Sequence, residues 1–308
     1  MRWIALLSVA MAIVPRYQGA RSAPVQVAEV STYCEGPVFD RAGNLYVSHG
    51  PYITKIGPDG ETAIWAETGS PNGHKVKSDG THLVCEHGAV LHLSEDGEVL
   101  GKAASDCGGE TLRRTNDITL SPEGGFYFTD PGDGLGALDE PIGRVCYVDA
   151  GGRSHLVADG LGFPNGIVLN SKGDRLFVGE SMRGRNRILE FDVQAPGKIG
   201  ADRVFAQLPF AEDEAFVSPD GMAFDEDGNL YVAHFGMGQV RVLDTNGTLI
   251  HSIPAGNNAA SNVAFGGTNR DQLYVTGAEA FFGGEYPGVV YRLDLQGTRG
   301  VSLLPPAK

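Results

Sequence analysis

Six residues whose side chains carry oxygen ligand atoms occupy the same position in a repeated sequence pattern, and together they could bind a hard cation. Each stands at the start of a short apolar run that ends in a Gly/Asp turn and a second apolar run. The six residues are Glu35, Asn72, Asn116, Asn165, Asp220 and Asn262. Calcium takes about six to eight oxygen ligands, and carboxylates and carboxamides both serve. The preference of Asn and Asp for turns explains any one of these residues, but it explains Glu35 poorly.

The elements that position these residues follow from the repeat itself. In the clearest copy, Pro164-Asn165-Gly166 leads into Ile167-Val168-Leu169, a polar turn and then Leu176-Phe177-Val178. Successive anchor residues are 37, 44, 49, 55 and 42 positions apart. A unit of roughly 40–50 residues made of short strands is typical of a β-propeller with four strands to a blade. A β-sandwich with coincidental turns is the alternative, and six copies in one phase disfavour it.

The sequence therefore predicts an all-β, six-bladed β-propeller with four-stranded antiparallel blades. The first strand of each blade lines the central channel in such a fold, so the six anchors should meet at the channel mouth. Residues 24–30 form a further predicted strand, which we expect to pair with residues 288–293. This pairing would close the ring with the N-terminal strand and remove two exposed sheet edges. We expect one propeller domain over residues 23–308.

Composition and motifs exclude several function classes. The 308 residues carry a formal net charge of −14, which disfavours a nucleic-acid partner because phosphate backbones need a basic surface. The sequence contains no G-x-S-x-G nucleophile elbow, no phosphate-binding Walker loop and no H-E-x-x-H zinc motif. Serine hydrolases with that elbow, P-loop NTPases and zincins are thereby excluded.

The N-terminus reads as a targeting segment. Arg2 precedes an apolar run from Trp3 to Val14 that is too short to span a bilayer comfortably, as in a secretory signal peptide. We predict a signal peptide over residues 1–22, a secreted or periplasmic protein, and no membrane association after cleavage. The alternatives are an uncleaved anchor and a misassigned start.

The sequence contains four cysteines, Cys34, Cys85, Cys107 and Cys146. An exported chain could pair some of them as disulfides, but buried free thiols are an equal possibility.

Several of these segments resemble one known family. Glu35-Gly36-Pro37, Asn116-Asp117, Pro164-Asn165-Gly166-Ile167 and Pro219-Asp220-Gly221-Met222 are similar to the repeat anchors of the senescence marker protein/gluconolactonase/luciferin-regenerating enzyme family. Three others resemble its bacterial gluconolactonase branch: Cys85-Glu86-His87-Gly88, Phe128-Thr129-Asp130-Pro131 and the run from Ser261 to Gly267. The resemblance extends over about residues 30–295. It implies a six-bladed propeller with a divalent metal in the channel, and hydrolysis of lactones or, in some relatives, of organophosphates.

The resemblance also implies roles for individual residues. Glu35, Asn165 and Asp220 fall on the metal-ligand positions of the family, and Asn116 falls on a fourth position that contacts metal or substrate. Arg114 stands where sugar lactonases of the family have a substrate-binding arginine. The implied metal is a divalent cation, usually Ca²⁺, with Zn²⁺, Mg²⁺ or Mn²⁺ as alternatives. No counterpart to the family's further substrate contacts in the third blade is found, since residues 132–136 replace them.

The predicted chemistry is metal-assisted opening of a sugar lactone by water. A dication would polarise the carbonyl and stabilise the oxyanion, and we assign Asp220 as the catalytic base, with direct nucleophilic attack by Asp220 left open. His87 and His234 are weaker candidates for assistance. The competing interpretations are an esterase or organophosphatase on the same scaffold and a non-catalytic calcium-binding propeller. We expect a monomer whose partner is a small-molecule lactone.

Overall fold

Short strands make up the whole of the architecture in this computed structural model, which describes residues 23–133, 138–209, 216–281 and 283–301. The described residues contain 26 β-strands and no α-helix. Among them, no helix is long and apolar enough to cross a membrane. The predicted signal peptide lies outside the described residues.

Six four-stranded antiparallel sheets form the blades of a propeller, as predicted. Blade 1 comprises β2 (Cys34–Phe39), β3 (Leu45–His49), β4 (Tyr52–Ile56) and β5 (Thr62–Glu67). Blade 2 comprises β6 (His74–Val76), β7 (His82–Glu86), β8 (Ala89–Leu93) and β9 (Val99–Ala104). A small hairpin follows, made of β10 (Asp106–Cys107) and β11 (Glu110–Thr111).

The next three blades repeat the arrangement. Blade 3 comprises β12 (Ile118–Leu120), β13 (Phe126–Asp130), β14 (Gly143–Val148) and β15 (Ser154–Leu161). Blade 4 comprises β16 (Pro164–Leu169), β17 (Arg175–Glu180), β18 (Arg187–Ala195) and β19 (Lys198–Gln207). Blade 5 comprises β20 (Ser218–Phe224), β21 (Leu230–Phe235), β22 (Gln239–Leu243) and β23 (Leu249–Pro254).

The last blade is built from both ends of the described chain. It comprises β24 (Asn262–Gly266), β25 (Gln272–Ala278) and β26 (Gly288–Asp294), with β1 (Val25–Val30) as its fourth strand. Strand β1 pairs antiparallel with β26, from Val25 opposite Arg292 to Val30 opposite Gly288. This pairing confirms closure by the N-terminal strand, and it removes the unpaired edges that an open sheet would present.

The first strands of the blades form a closed circuit around the channel. Each of β2, β6, β12, β16, β20 and β24 contacts the next, and β24 contacts β2. The hydrophobic core is divided in the same way into six clusters, one at each interface between neighbouring blades. Because apolar side chains from two blades fill each interface, burial fixes the blades against one another and so fixes what the first strands carry.

Candidate active site

A shared local distortion positions three of the predicted ligands. The pairing of the first with the second strand shifts register between Glu35 and Val38 in blade 1. It shifts between Pro164 and Ile167 in blade 4, and between Pro219 and Met222 in blade 5. A β-bulge re-aims side chains and is frequent beside active sites. Asn165 and Asp220 lie within these bulges, and Glu35 is the paired residue at the edge of the one in blade 1.

The glycine that follows the anchor residue lets neighbouring blades approach closely. A Cβ at Gly36 would overlap the backbone of Asn72, and one at Gly166 would overlap the backbone of Asp220. Gly36 also has φ of +54°, which disfavours any other residue. The Xaa-Gly pairs of the repeat are therefore a packing requirement of the narrow channel.

Blade 3 departs from this rule and places a further carboxylate in the channel. Asp117 occupies the position of the glycine after the anchor, and it is buried. Its Oδ1 accepts the backbone N–H of Ile118 at 2.8 Å and lies 3.9 Å from Nζ of Lys75. Sequence reasoning assigned no role to Asp117, although an acid where the repeat has glycine was a readable signal.

The channel brings Glu35, Asp220 and Asn165 together. All three are buried, and the Asn165 side chain donates a hydrogen bond to the Asp220 carboxylate. Glu35 receives a hydrogen bond from the Tyr33 hydroxyl at 2.8 Å, and the Asn262 side chain also hydrogen-bonds to Glu35. The anchor residues of blades 1, 4, 5 and 6 are thus connected by hydrogen bonds or charge interactions in the channel.

The electrostatics of the channel show an excess of negative charge. Burial raises the pKa of Glu35 to about 7, and the charge of Asp117 adds to the shift, while the hydrogen bond from Tyr33 opposes it. Burial raises the pKa of Asp220 well above its ordinary value, with the charges of Glu35 and Asp117 as further causes. Among the described residues, no cationic side chain is a leading cause of the pKa shift of either group. Desolvated carboxylates without a counter-charge favour the proton or a bound cation.

A divalent cation fits this set of donors. The carboxamide Oδ1 atoms of Asn165 and Asn72 are buried without a hydrogen-bond partner among the described residues, which is costly unless a ligand is bound. Together with Glu35 and Asp220 they offer the carboxylate and amide oxygens that hard cations take. A site made of three or more His, Cys, Asp or Glu is not found within the described ranges, so any cation here depends on the amide oxygens.

Asn116 and Arg114 lie on the blade 3 side of the mouth. Asn116 is half-buried, and its backbone carbonyl accepts the N–H of Gly73 at 2.7 Å. Over the described part of the chain, its side chain makes no hydrogen bond to Glu35 or Asp220. Arg114 is exposed and forms no ion pair with a described residue, and its backbone pairs with that of His87. Arg114 is therefore a solvent-exposed cation two residues before Asn116.

An aromatic cluster covers the opposite side of the mouth, next to Glu35. The ring of Tyr33 contacts Phe281 edge-on at 4.8 Å between centroids and Phe235 at 6.2 Å. Phe216 packs on Phe235 at 5.7 Å. Because Tyr33 also binds Glu35, this apolar wall is continuous with the carboxylates. Sequence reasoning missed Tyr33, since no repeat marks its position.

Neither candidate histidine is positioned as a general base. Arg241 donates from Nε to Nδ1 of buried His234 at 2.9 Å, so the remaining ring proton is on Nε2, which faces Oδ1 of Asn186 at 3.3 Å. Burial and the Arg241 charge lower the pKa of His234 to about 3. His87 is exposed and lies 3.4 Å from a carboxylate oxygen of Asp133. His234 is thus a neutral structural residue, and His87 belongs to the rim.

The cysteines divide into one pair and two thiols. Cys107 and Cys146 form a disulfide that ties the β10–β11 hairpin to β14. Cys34 and Cys85 are buried and unpaired.

Comparisons with known proteins agree with the fold. The SMP-30/gluconolactonase/LRE-like family model matches residues 33–279. A lactonase drp35 of Staphylococcus epidermidis is 30% identical over 244 residues, which cover 74% of this chain and 71% of that protein. The diisopropyl-fluorophosphatase of Loligo vulgaris is 26% identical over 250 residues, covering 72% and 78%. The structure of a gluconolactonase from Xanthomonas campestris superposes with a TM-score of 0.76 at 25% identity, covering 90% of this chain and 91% of that one.

Proposed function

Because this chain belongs to the SMP-30/gluconolactonase/LRE-like family, we propose that it is an enzyme that hydrolyses a small-molecule lactone at the channel mouth. Relatives named as lactonase and gluconolactonase support the reaction class. The observation that carries the proposal is the pair of buried carboxylates, Glu35 and Asp220, whose pKa values are both raised and which have no cation among the leading causes of their shifts within the described residues.

The cofactor is a divalent cation held by Glu35, Asn165 and Asp220, with Asn116 as a further ligand or a substrate contact. Calcium is the cation that this oxygen set favours, since no thiolate or imidazole is among the donors. When bound, the cation would polarise the lactone carbonyl and stabilise the developing oxyanion. The unpartnered Oδ1 of Asn165 supports this assignment.

Asp220 is the group that moves the proton. It accepts a proton from the attacking water at its carboxylate, and the hydrogen bond from Asn165 orients that carboxylate. Neutral His234 cannot take this role because Arg241 already occupies its acceptor nitrogen. Direct attack by Asp220 on the carbonyl is the alternative. The lactone C–O bond would break as the anhydride with Asp220 forms, and attack of labelled water on the Asp220 acyl carbon would then leave one solvent ¹⁸O atom in Asp220.

Arg114 and the aromatic wall would bind the rest of the substrate from opposite sides. Arg114 is the exposed cation on one side, suited to hydroxyl groups and to the carboxylate formed on ring opening. Tyr33, Phe235 and Phe281 supply an apolar face on the other.

A second candidate reaction is hydrolysis of an organophosphate on the same scaffold. The similarity to a diisopropyl-fluorophosphatase supports it, and the apolar wall suits an ester with alkyl groups. The donor set would serve both reactions, because each develops negative charge on an oxygen beside the cation.

We also propose export to the periplasm or the cell exterior. The apolar run near the N-terminus supports it, and the disulfide between Cys107 and Cys146 supports an oxidising compartment. Cell fractionation of a tagged full-length chain tests this, with cytoplasmic retention as the contradicting result.

A substrate panel tests the proposed function. Aldonolactones, aryl esters and a fluorophosphonate are offered to chelator-treated protein and to protein reloaded with calcium. We expect lactone turnover that is lost with chelator and restored by calcium. Undetectable hydrolysis of every substrate across several metals would favour the non-catalytic calcium-binding propeller instead.

A further inference from the structure

Two buried acids occupy equivalent places in blades 3 and 4. Asp130 ends β13 and Glu180 ends β17, the second strands of their blades, and both side chains are 0% exposed. In each blade the acid stands opposite an arginine of the third strand, Asp130 opposite Arg144 and Glu180 opposite Arg187. The other four blades have no acid–arginine pair at this register. We call Asp130 and Glu180 the corner acids.

Each corner acid also accepts backbone N–H groups from the segment that enters its own blade. Oδ1 of Asp130 accepts from Arg114 at 3.0 Å and from Arg113 at 3.2 Å. Oε1 of Glu180 accepts from Gly162 at 2.7 Å. These donors lie two or three residues before Asn116 and Asn165.

Arginines hold the corner acids in place. Arg144 binds Asp130 from two nitrogens and also reaches the carbonyl of Thr111 at 3.0 Å. Glu180 is bound by Arg185 at 2.8 Å and by Arg187. A buried carboxylate with full hydrogen bonding and a cationic partner is a rigid acceptor, because moving it would leave charges unpaired.

The corner acids add to the backbone hydrogen bonds that hold the entering segments, such as Met182 N–H to Gly162 O at 3.1 Å and Gly88 N–H to Arg113 O at 2.9 Å. In blade 4, a Cβ at Gly162 would lie 2.8 Å from Cβ of Met182, so the N–H can reach Glu180 only because the residue has no side chain. In blade 3, the disulfide fixes the outer end of the segment and Asp130 fixes its inner end.

We propose that the corner acids are positioning residues with divided roles: Glu180 sets the place of Asn165 and hence cation affinity, and Asp130 sets the place of Arg114 and hence substrate affinity. The inference rests on the proposed function for the roles of Asn165 and Arg114. Neither corner acid touches the reacting atoms, yet one should affect cation affinity and the other substrate affinity.

Three charge-removing variants test the division. Glu180→Gln and Asp130→Asn remove the corner acids, and Glu190→Gln is the matched control. Glu190 is a buried acid of blade 4 that binds Arg175 at 2.7 Å and Arg203 at 2.9 Å but receives no N–H from an entering segment. Calcium Kd is measured by calorimetry, and kcat and KM are measured with glucono-1,5-lactone at saturating calcium.

We expect Glu180→Gln to weaken calcium binding about tenfold and to leave KM nearly unchanged, within the range of effects known for outer-sphere groups of metal sites. Asp130→Asn should raise KM about tenfold and leave calcium Kd and kcat nearly unchanged. Glu190→Gln should lower the stability of the fold but leave calcium Kd, kcat and KM nearly unchanged. Equal effects of both corner variants on both constants, or no effect beyond that of the control, would overturn the proposal.

Charge-preserving variants test the proposal if the charge-removing variants do not fold. Glu180→Asp and Asp130→Glu keep the arginine pairs but move the accepting oxygen by one methylene, so they should show the same division with smaller changes, and a reversed or absent division would overturn it. Calorimetry needs no turnover. If the wild-type protein binds calcium but opens no lactone, the proposed function fails, whereas the Glu180 result still supports or overturns this inference.

Discussion

The channel carboxylates and the corner acids are all buried but differ in the groups that bind them. Asp130 and Glu180 are each bound by arginine and by backbone N–H groups. Glu35 and Asp220 have hydrogen bonds only from Tyr33, amide side chains and backbone. Taking a charge out of water costs several kcal/mol unless a partner compensates it. The protein compensates the first pair with its own arginines, whereas for the second pair we propose that a bound cation does so.

This difference distinguishes the corner acids, which support the backbone, from the channel carboxylates, which are the candidate functional groups. A corner acid with its arginine supports backbone that must not move. The channel carboxylates repel each other, and both pKa values are raised. Buried groups with perturbed pKa values cluster at functional sites, and Glu35 and Asp220 are two such groups in contact with one channel.

The largest expected effect comes from Asp220→Asn. The variant keeps a side-chain oxygen and nearly the same shape, but it removes the carboxylate that we propose accepts the proton from water. Lactone hydrolysis at saturating calcium should fall by ~10²–10⁴-fold. Glu35→Gln is the control, because it should mainly weaken calcium binding and recover much of its activity in excess calcium. Near wild-type turnover by Asp220→Asn would remove Asp220 as the catalytic group.

A smaller effect is expected on the pH dependence of stability in the metal-free protein. The pKa of Glu35 is about 7 in the folded protein against an ordinary 4.5, so between these values the folded state holds a proton that the unfolded chain has released. The free energy of unfolding should therefore fall by a few kcal/mol as pH rises from about 4.5 to 7. Chemical denaturation at several pH values measures this.

Glu35→Gln provides the comparison for that experiment. The variant should be less sensitive to pH over the same window, with the remaining slope coming from Asp220, whose pKa is shifted in the same direction. Saturating calcium should reverse the trend, because protons then compete with the cation for the carboxylates. An unchanged slope in Glu35→Gln would show that Glu35 is neutralised by some other group.

The smallest expected effect comes from Tyr33→Phe. The variant removes the hydrogen bond to Glu35 but keeps the ring against Phe281. A hydrogen bond to a charged group contributes about 1.5–3 kcal/mol, so calcium affinity should fall by about tenfold in calorimetry while the fold is retained. An unaltered Kd would mean that the hydroxyl does not orient the carboxylate.

The sequence predicts the fold and the channel residues for one physical reason. Channel residues are set by the start of each repeat, so Glu35, Asn165 and Asp220 can be read from spacing, and the glycine that follows each is required by the contact with the next blade. The pairing of β1 with β26 follows from the need to close the ring. Both inferences depend on order along the chain and on one repeated unit.

The remaining features depend on pairing between distant strands, which linear spacing does not specify. Asp130 and Glu180 become equivalent only through their register with Arg144 and Arg187. Four cysteines allow three full pairings, and the pairing of Cys107 with Cys146 is set by the placement of the β10–β11 hairpin on β14.

Calorimetric titration of calcium into chelator-treated protein tests the central claim most directly, namely that Glu35 and Asp220 await a dication. The account predicts saturable binding to the wild-type protein, a higher Tm on saturation, and loss of this binding in the double variant Glu35→Gln/Asp220→Asn. Undiminished calcium binding by the double variant, or no binding of calcium, magnesium, manganese or zinc by the wild-type protein, would contradict it.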